Sequence, residues 1–204
     1  MDQTRTTLVH RAKLLENLTI GFNVIEGTAS VAAGVFVNSI VLVGFGVDSF
    51  IEVASGVAVL WRMTHDAEPI AREQADRISL RFIGGCFLVL AIYITYDAVS
   101  TLAHKKAPEE SLMGIIIACL SLIVMPLLAW SKRKVAAQLN SGAMTADAKQ
   151  TMLCSYLAAI LLAGLVLNKL FGWWWADPVS ALIMVPIIAR EGVEALKGKK
   201  CCEN

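Results

Sequence analysis

The chain has 204 residues, 56% hydrophobic and 17% charged, with a formal net charge of +1 and a mean hydropathy of +0.63. A soluble domain of this length carries more charge and fewer long apolar runs, so the composition indicates a membrane protein. The near-neutral balance, without a basic recognition helix or stacking groove, excludes nucleic acid as a partner.

The opening, MDQTRTTLVHRAKLLENL, has acidic and polar residues and no cleavage site before the first apolar run, unlike a secretory signal peptide. Residues 1–17 read as a cytoplasmic interfacial segment, basic over His10–Glu16. The first span is expected at Leu18–Asn38, containing Asn23 and Glu26, and the second at Ile40–Met63. One helix over Ile20–Trp61 would be too long for a hydrocarbon core of about 30 Å, whereas two spans fit. His65–Arg81, with Asp66, Glu68, Arg72, Glu73, Asp76 and Arg77, reads as aqueous. Further spans are expected at Phe82–Leu102, Leu112–Trp130, Ala148–Leu170 and Trp175–Ala189. Pro126 should bend the end of the fourth. A polar turn, His104–Glu110, precedes that span, and a second aqueous loop, Ser131–Asp147, follows it with Lys132, Arg133 and Lys134.

The expected fold is therefore an all-α polytopic membrane protein of six transmembrane helices over residues 18–190, with a short tail over 191–204. Lys and Arg cluster before the first span, between the second and third, between the fourth and fifth, and after the sixth. The positive-inside rule then puts both termini in the cytoplasm. Trp173, Trp174 and Trp175 fall at the outer interface, where amphipathic rings belong. Gly84–Gly85, Ala158–Ala159 and Ser55–Gly56 mark places where helices can approach closely. Cys86, Cys119 and Cys154 lie singly in apolar runs, as reduced thiols do. The apolar runs are too long, and too little alternating, for a β-barrel.

The chemistry concentrates in Gly44–Arg62, GFGVDSFIEVASGVAVLWR. A spacing of four places Asp48 and Glu52 on one helix face. A carboxylate inside a membrane needs a cavity, partner or ion, so the pair is either a cation site or a structural hydrogen-bonding pair. Counting from the expected span ends, Glu52 lies about 12 Å and Cys154 about 10 Å from the inner edge, nearly one depth. Gln150 is one turn from Cys154, with Asp147 below both. Two carboxylates, a thiolate and an amide oxygen can hold a divalent cation, and the thiolate favours softer ions. Cys154 is also the kind of residue that simply packs. Glu26 is a further candidate, as ligand, proton carrier or salt-bridge partner. Asp97 is expected to reach solvent at the outer interface, and Asp177, before Pro178, to cap the last helix. Cys201 and Cys202, close to Lys197, Lys199 and Lys200, are candidate thiolates for handing on soft metal.

These residues resemble the transmembrane domain of the cation diffusion facilitator family, over about Leu14–Gly198. The family's pair of second-span ligands corresponds to Asp48 and Glu52 in DSFIE. Ala146–Asp147 matches the Ala-Asp pair of its fifth span, and Trp175–Pro178 matches the opening of its sixth. The resemblance implies a homodimer that exchanges Zn²⁺ or a related ion for protons across the cell membrane, by alternating access. It implies metal ligation by Asp48, Glu52, Gln150 and Cys154, with Glu26 and Asp147 as further contributors and no tightly bound cofactor. The cargo would be Zn²⁺, with Cd²⁺, Co²⁺, Fe²⁺ or Mn²⁺ as alternatives. The pattern departs where the family has His and Asp, at Gln150 and Cys154, and in the Arg72–Arg81 region, which lacks a recognisable His-and-Lys motif. The usual C-terminal cytoplasmic domain is expected to be absent, leaving dimerisation to the spans. A second reading is a degenerate, non-transporting accessory protein of the same fold. An enzyme is opposed by the scatter of His10, His65 and His104 and the lack of an HExxH motif.

Overall fold

The computed structural model describes residues 3–36, 40–65, 68–104, 112–171, 173 and 175–197, without the side chains of 3, 4, 40, 41, 164–170, 176, 177, 180, 181 and 184. The chain folds as α1 (Gln3–Phe36), α2 (Ile40–Thr64), α3 (Pro69–His104), α4 (Leu112–Leu139), α5 (Gly142–Phe171) and α6 (Ala176–Leu196). Within a bilayer each N–H and C=O must be paired inside its own segment, and a helix does this without a neighbour.

The helices are polar inward and apolar outward. On α1 the buried residues Glu16, Thr19, Asn23, Glu26 and Ser30 recur at helical spacing, while Leu18, Ile25 and Phe36 are exposed. On α2 the buried stripe is Phe45, Asp48, Glu52, Ser55 and Val59; on α4, Ser121, Met125, Ala129 and Lys132. In water this pattern would be inside out; in lipid the exposed aliphatic side chains match the solvent.

α1 packs on α2, α2 on α5, α5 on α4 and α4 on α1, so these four helices close a ring around their polar faces. One apolar cluster, including Val59, Met63, Val135, Leu139 and Met144, seals the end of the ring near the α4–α5 turn. A second, with Phe45, Ile117, Ala118, Met125 and Leu161, seals the other. α3 and α6 form a pair against α2 and α5. Their backbones nearly touch: a Cβ at Gly84 would meet the carbonyl oxygen of Gly192 at 2.8 Å, so only glycine fits. Of the small pairs read from the sequence, Gly84 makes this approach, whereas Gly85 faces open space.

Several expectations are corrected. Among the described residues, four helices are long and apolar enough to cross a membrane, at Arg5–Phe36, Leu42–Thr64, Pro69–His104 and Leu112–Leu139, where six spans are expected from the sequence. The first half of α5 carries Asp147, Lys149 and Gln150, and α6 places Arg190, Glu191 and Glu194 in its last two turns. The expectation of a bare transmembrane domain without a C-terminal part falls with the six spans, because α5 and α6 follow the four and pack back on them, α5 on α4 and α2 and α6 on α3. The expected aqueous segments also change. α1 is helical through the interfacial region, α3 starts at Pro69, and α4 runs on to Leu139 before a turn at Asn140, whose φ of 51° is left-handed. The cap of α6 is Trp175, with no side-chain hydrogen bond, and Asp177 stands one residue inside the helix. Trp173 and Trp175 are exposed and stacked, with centroids 5.7 Å apart. Lys105, Lys106, Trp174, Cys201 and Cys202 lie outside the described residues.

Asp76, expected in water, is instead buried as a clasp. It accepts hydrogen bonds from Arg62 Nε at 3.0 Å, Ser141 Oγ at 2.7 Å and the Gly142 amide at 3.0 Å, joining α2, α3 and the start of α5. A carboxylate there also opposes the positive end of the α5 dipole. Asp76→Ala is expected to destabilise the protein by ~3 kcal/mol or more, and Ser141→Ala by ~1 kcal/mol. Thermal unfolding in detergent checks this; unchanged midpoints would show that the clasp carries no stability.

Candidate cation site

Asp48, Glu52, Gln150 and Cys154 meet at the α2–α5 interface. Their helical stripes bring them there: Asp48, Glu52 and Ser55 on one face of α2 oppose Gln150, Thr151 and Cys154 on one face of α5. All are sealed, with relative exposures of 3% for Asp48, 1% for Glu52, 1% for Gln150 and 2% for Cys154. The Cys154 thiol lies beside the Asp48 carboxylate. One turn along, Glu52 stands beside Thr151 and within the field of Lys132. Ser55 Oγ donates to Gln150 Oε1 at 2.6 Å.

The bonding is incomplete. Asp48 Oδ2, both Glu52 carboxylate oxygens and Gln150 Nε2 have no hydrogen-bond partner, although buried polar atoms ordinarily find one. Among the described residues, no three of His, Cys, Asp and Glu are grouped closely enough to enclose a metal ion in this conformation. The arrangement is a line of donors along an interface rather than a closed cage.

The two further contributors have other contacts. Glu26 Oε2 accepts from Ser49 Oγ at 2.9 Å, while Oε1 is unpartnered. Asp147 accepts a short hydrogen bond from Lys132 Nζ. Asp97 is half-buried, and with Asp48, Tyr93 and Thr101 it lines a cavity of about 70 Å³ between α2, α3 and α5. The side chain of Asp177 is outside the described set.

Lys132 is the residue that the sequence reading missed. Expected in an aqueous loop, it is fully buried on α4, with Nζ 2.9 Å from Glu16 Oε2 on α1, bonded to Asp147 and 3.4 Å from Thr151 Oγ1 on α5. The signal was present as periodicity. Met125, Ala129, Lys132 and Ala136 continue one buried face of α4, while Arg133 and Lys134 point outward. Glu16 was legible in the same way, as the first member of the polar stripe on α1.

The residues read from the sequence as a cation site thus lie together inside a ring of four helices, sealed and incompletely bonded. The family model for the cation efflux transmembrane domain matches residues 18–198, and the chain belongs to that family, a family of transporters and not of enzymes. It is a multi-pass protein of the cell membrane. It is 25% identical over 171 residues to an uncharacterized transporter of Synechocystis sp., an alignment covering 81% of this chain and 55% of that protein. It is 25% identical over 179 residues to an uncharacterized transporter of Methanocaldococcus jannaschii, covering 85% and 63%. A cadmium, cobalt and zinc/H⁺–K⁺ antiporter of Bacillus subtilis is 30% identical over 118 residues, covering 56% and 36%. The chain thus spans 55% to 63% of the length of the first two relatives.

The Ser55–Gln150 bond tests the α2–α5 register without involving any ion. Ser55→Ala and Gln150→Leu are each expected to cost ~1–2 kcal/mol, and the double variant to cost about 1 kcal/mol less than their sum. Denaturation of the four proteins in one detergent checks it; strict additivity would show that the two side chains are not coupled.

Proposed function

We propose that this chain moves a divalent cation through the polar interior of the α1–α2–α5–α4 ring. Asp48 and Glu52 supply the charge, and Cys154 and Gln150 the further ligands. The observation that carries the reading is the set of unpartnered carboxylate oxygens on Asp48 and Glu52, sealed between two apolar clusters and beside a thiol. A carboxylate without a partner in such a place is costly, and a passing cation removes that cost. A cation also requires the thiol to be deprotonated before it can ligate, so binding releases a proton. This agrees with exchange against protons, the mode that the printed name of the Bacillus subtilis relative describes for that protein.

Zn²⁺ and Cd²⁺ fit a donor set of carboxylates and a thiolate better than Mg²⁺ or Mn²⁺. The open line of donors becomes a cage when α2 and α5 shift relative to each other, as alternating access requires. A homodimer formed through the membrane helices belongs to the same reading and rests on the family resemblance.

Asp48→Asn and Glu52→Gln are each expected to lower metal-driven flux in sealed proteoliposomes by at least about tenfold, with folding preserved because a neutral amide is cheaper to bury. Normal flux in both would leave the pair a structural role. Cys154→Ala should weaken Zn²⁺ and Cd²⁺ transport, and Cys154→Asp should keep Zn²⁺ while improving Mn²⁺. A purely packing cysteine gives the reverse order, with alanine mild and the buried aspartate disruptive. Ion competition at fixed pH separates the two.

A further inference from the structure

Between the Asp48–Glu52 pair and the α4–α5 turn, one ammonium faces several carboxylates. Lys132 from α4 meets Glu16 from α1 and Asp147 and Thr151 from α5, with Glu52 of α2 in its field. Each helix of the ring thus contributes one charged group. Lys132, Glu16 and Asp147 have no exposed side-chain surface. Glu16 Oε1, Asp147 Oδ1 and both oxygens of Glu52 nonetheless lack hydrogen-bond partners. A lysine ammonium carries one charge and three donors. A structural ion pair would present one carboxylate, with its remaining lone pairs bonded by neighbouring side chains. Here carboxylates from two helices meet one point charge, a third lies in its field, and several of their oxygens are left over. That is the donor set of a hard or borderline divalent cation, with a lysine at its centre.

We propose that the Glu16–Asp147 pair is a second cation-holding position, occupied in this conformation by the ammonium of Lys132 in place of a free ion. The four-carbon stem of lysine lets the ammonium withdraw while its Cα stays fixed on α4. A divalent ion then takes its place between the same carboxylates. The tethered charge also keeps Asp147 away from the Asp48–Glu52 site, which leaves that site with Cys154 as its distinguishing ligand. This inference rests on reading the chain as a cation carrier, but ion stoichiometry tests it without any transport.

The experiment uses the full chain, purified in detergent and equilibrated with Cd²⁺, with bound metal counted per chain by elemental analysis after dialysis. The parent protein should hold one ion. Lys132→Gln should hold two, because the vacated position accepts a free ion. Lys132→Arg, which keeps the cation, should hold one. Lys132→Gln combined with Asp147→Asn should also return to one, because the pair no longer exists. A Lys132→Gln protein that holds no more ions than the parent overturns the proposal. So does a double variant that still holds two, or a Lys132→Gln chain that fails to fold even with Cd²⁺ present, since a free cation should substitute for the ammonium. Should the parent hold none and Lys132→Gln one, this position stands and the Asp48–Glu52 site falls.

Discussion

Charge held out of water sets the terms for this molecule. Glu16, Glu26, Asp48, Glu52 and Asp147 are buried between helices whose outer faces are aliphatic, and an uncompensated ion in such surroundings is costly even after relaxation. Lys132 meets part of that demand. From α4 it reaches Glu16 on α1 and Asp147 on α5, so one ammonium ties three helices together. Lipid tails give helices little apolar reason to associate, and specific polar contacts and close packing have to supply it.

The remaining architecture follows from keeping that interior sealed. The apolar clusters close the ring at both ends, and the Asp76 clasp fixes the α4–α5 turn against α2 and α3. The α3–α6 pair, drawn close at Gly84 and Gly192, lies against the α2–α5 side of the ring. There the cavity lined by Asp48, Tyr93 and Asp97 begins. The site is thus closed by apolar side chains toward the α4–α5 turn and bordered on the other side by a small, largely apolar cavity that Asp48, Tyr93, Asp97 and Thr101 also line.

Much of this was legible in the sequence where chemistry and periodicity agreed. Asp48 and Glu52 stand out because they interrupt an apolar run at helical spacing; counting along two helices puts Glu52 and Cys154 at nearly one depth, whereas the structure sets Cys154 beside Asp48 and Glu52 beside Thr151, one turn along. Other features were hidden by local composition. Lys132 stands among basic residues and Asp76 among mixed charges, so both read as aqueous. Their burial depends on partners 15 residues away on α5 and 14 residues away on α2, which no short window contains. Glu16 fell just before the expected start of the first span, and so the polar stripe of α1 was cut at its first member. The sequence reading counted six membrane-crossing helices where, among the described residues, four are long and apolar enough; α6 carries Arg190, Glu191 and Glu194 in its last two turns.

The central claim is that the sealed carboxylates of the ring receive a divalent cation. Crystals of the full chain grown with Zn²⁺, measured at the zinc absorption edge, test it most directly. The account predicts an anomalous peak between α2 and α5, about 2.0–2.2 Å from carboxylate oxygens of Asp48 and Glu52 and about 2.3 Å from the Cys154 sulfur. Peaks confined to exposed side chains such as His10 or Glu68, with the ring interior empty at saturating Zn²⁺, would contradict it.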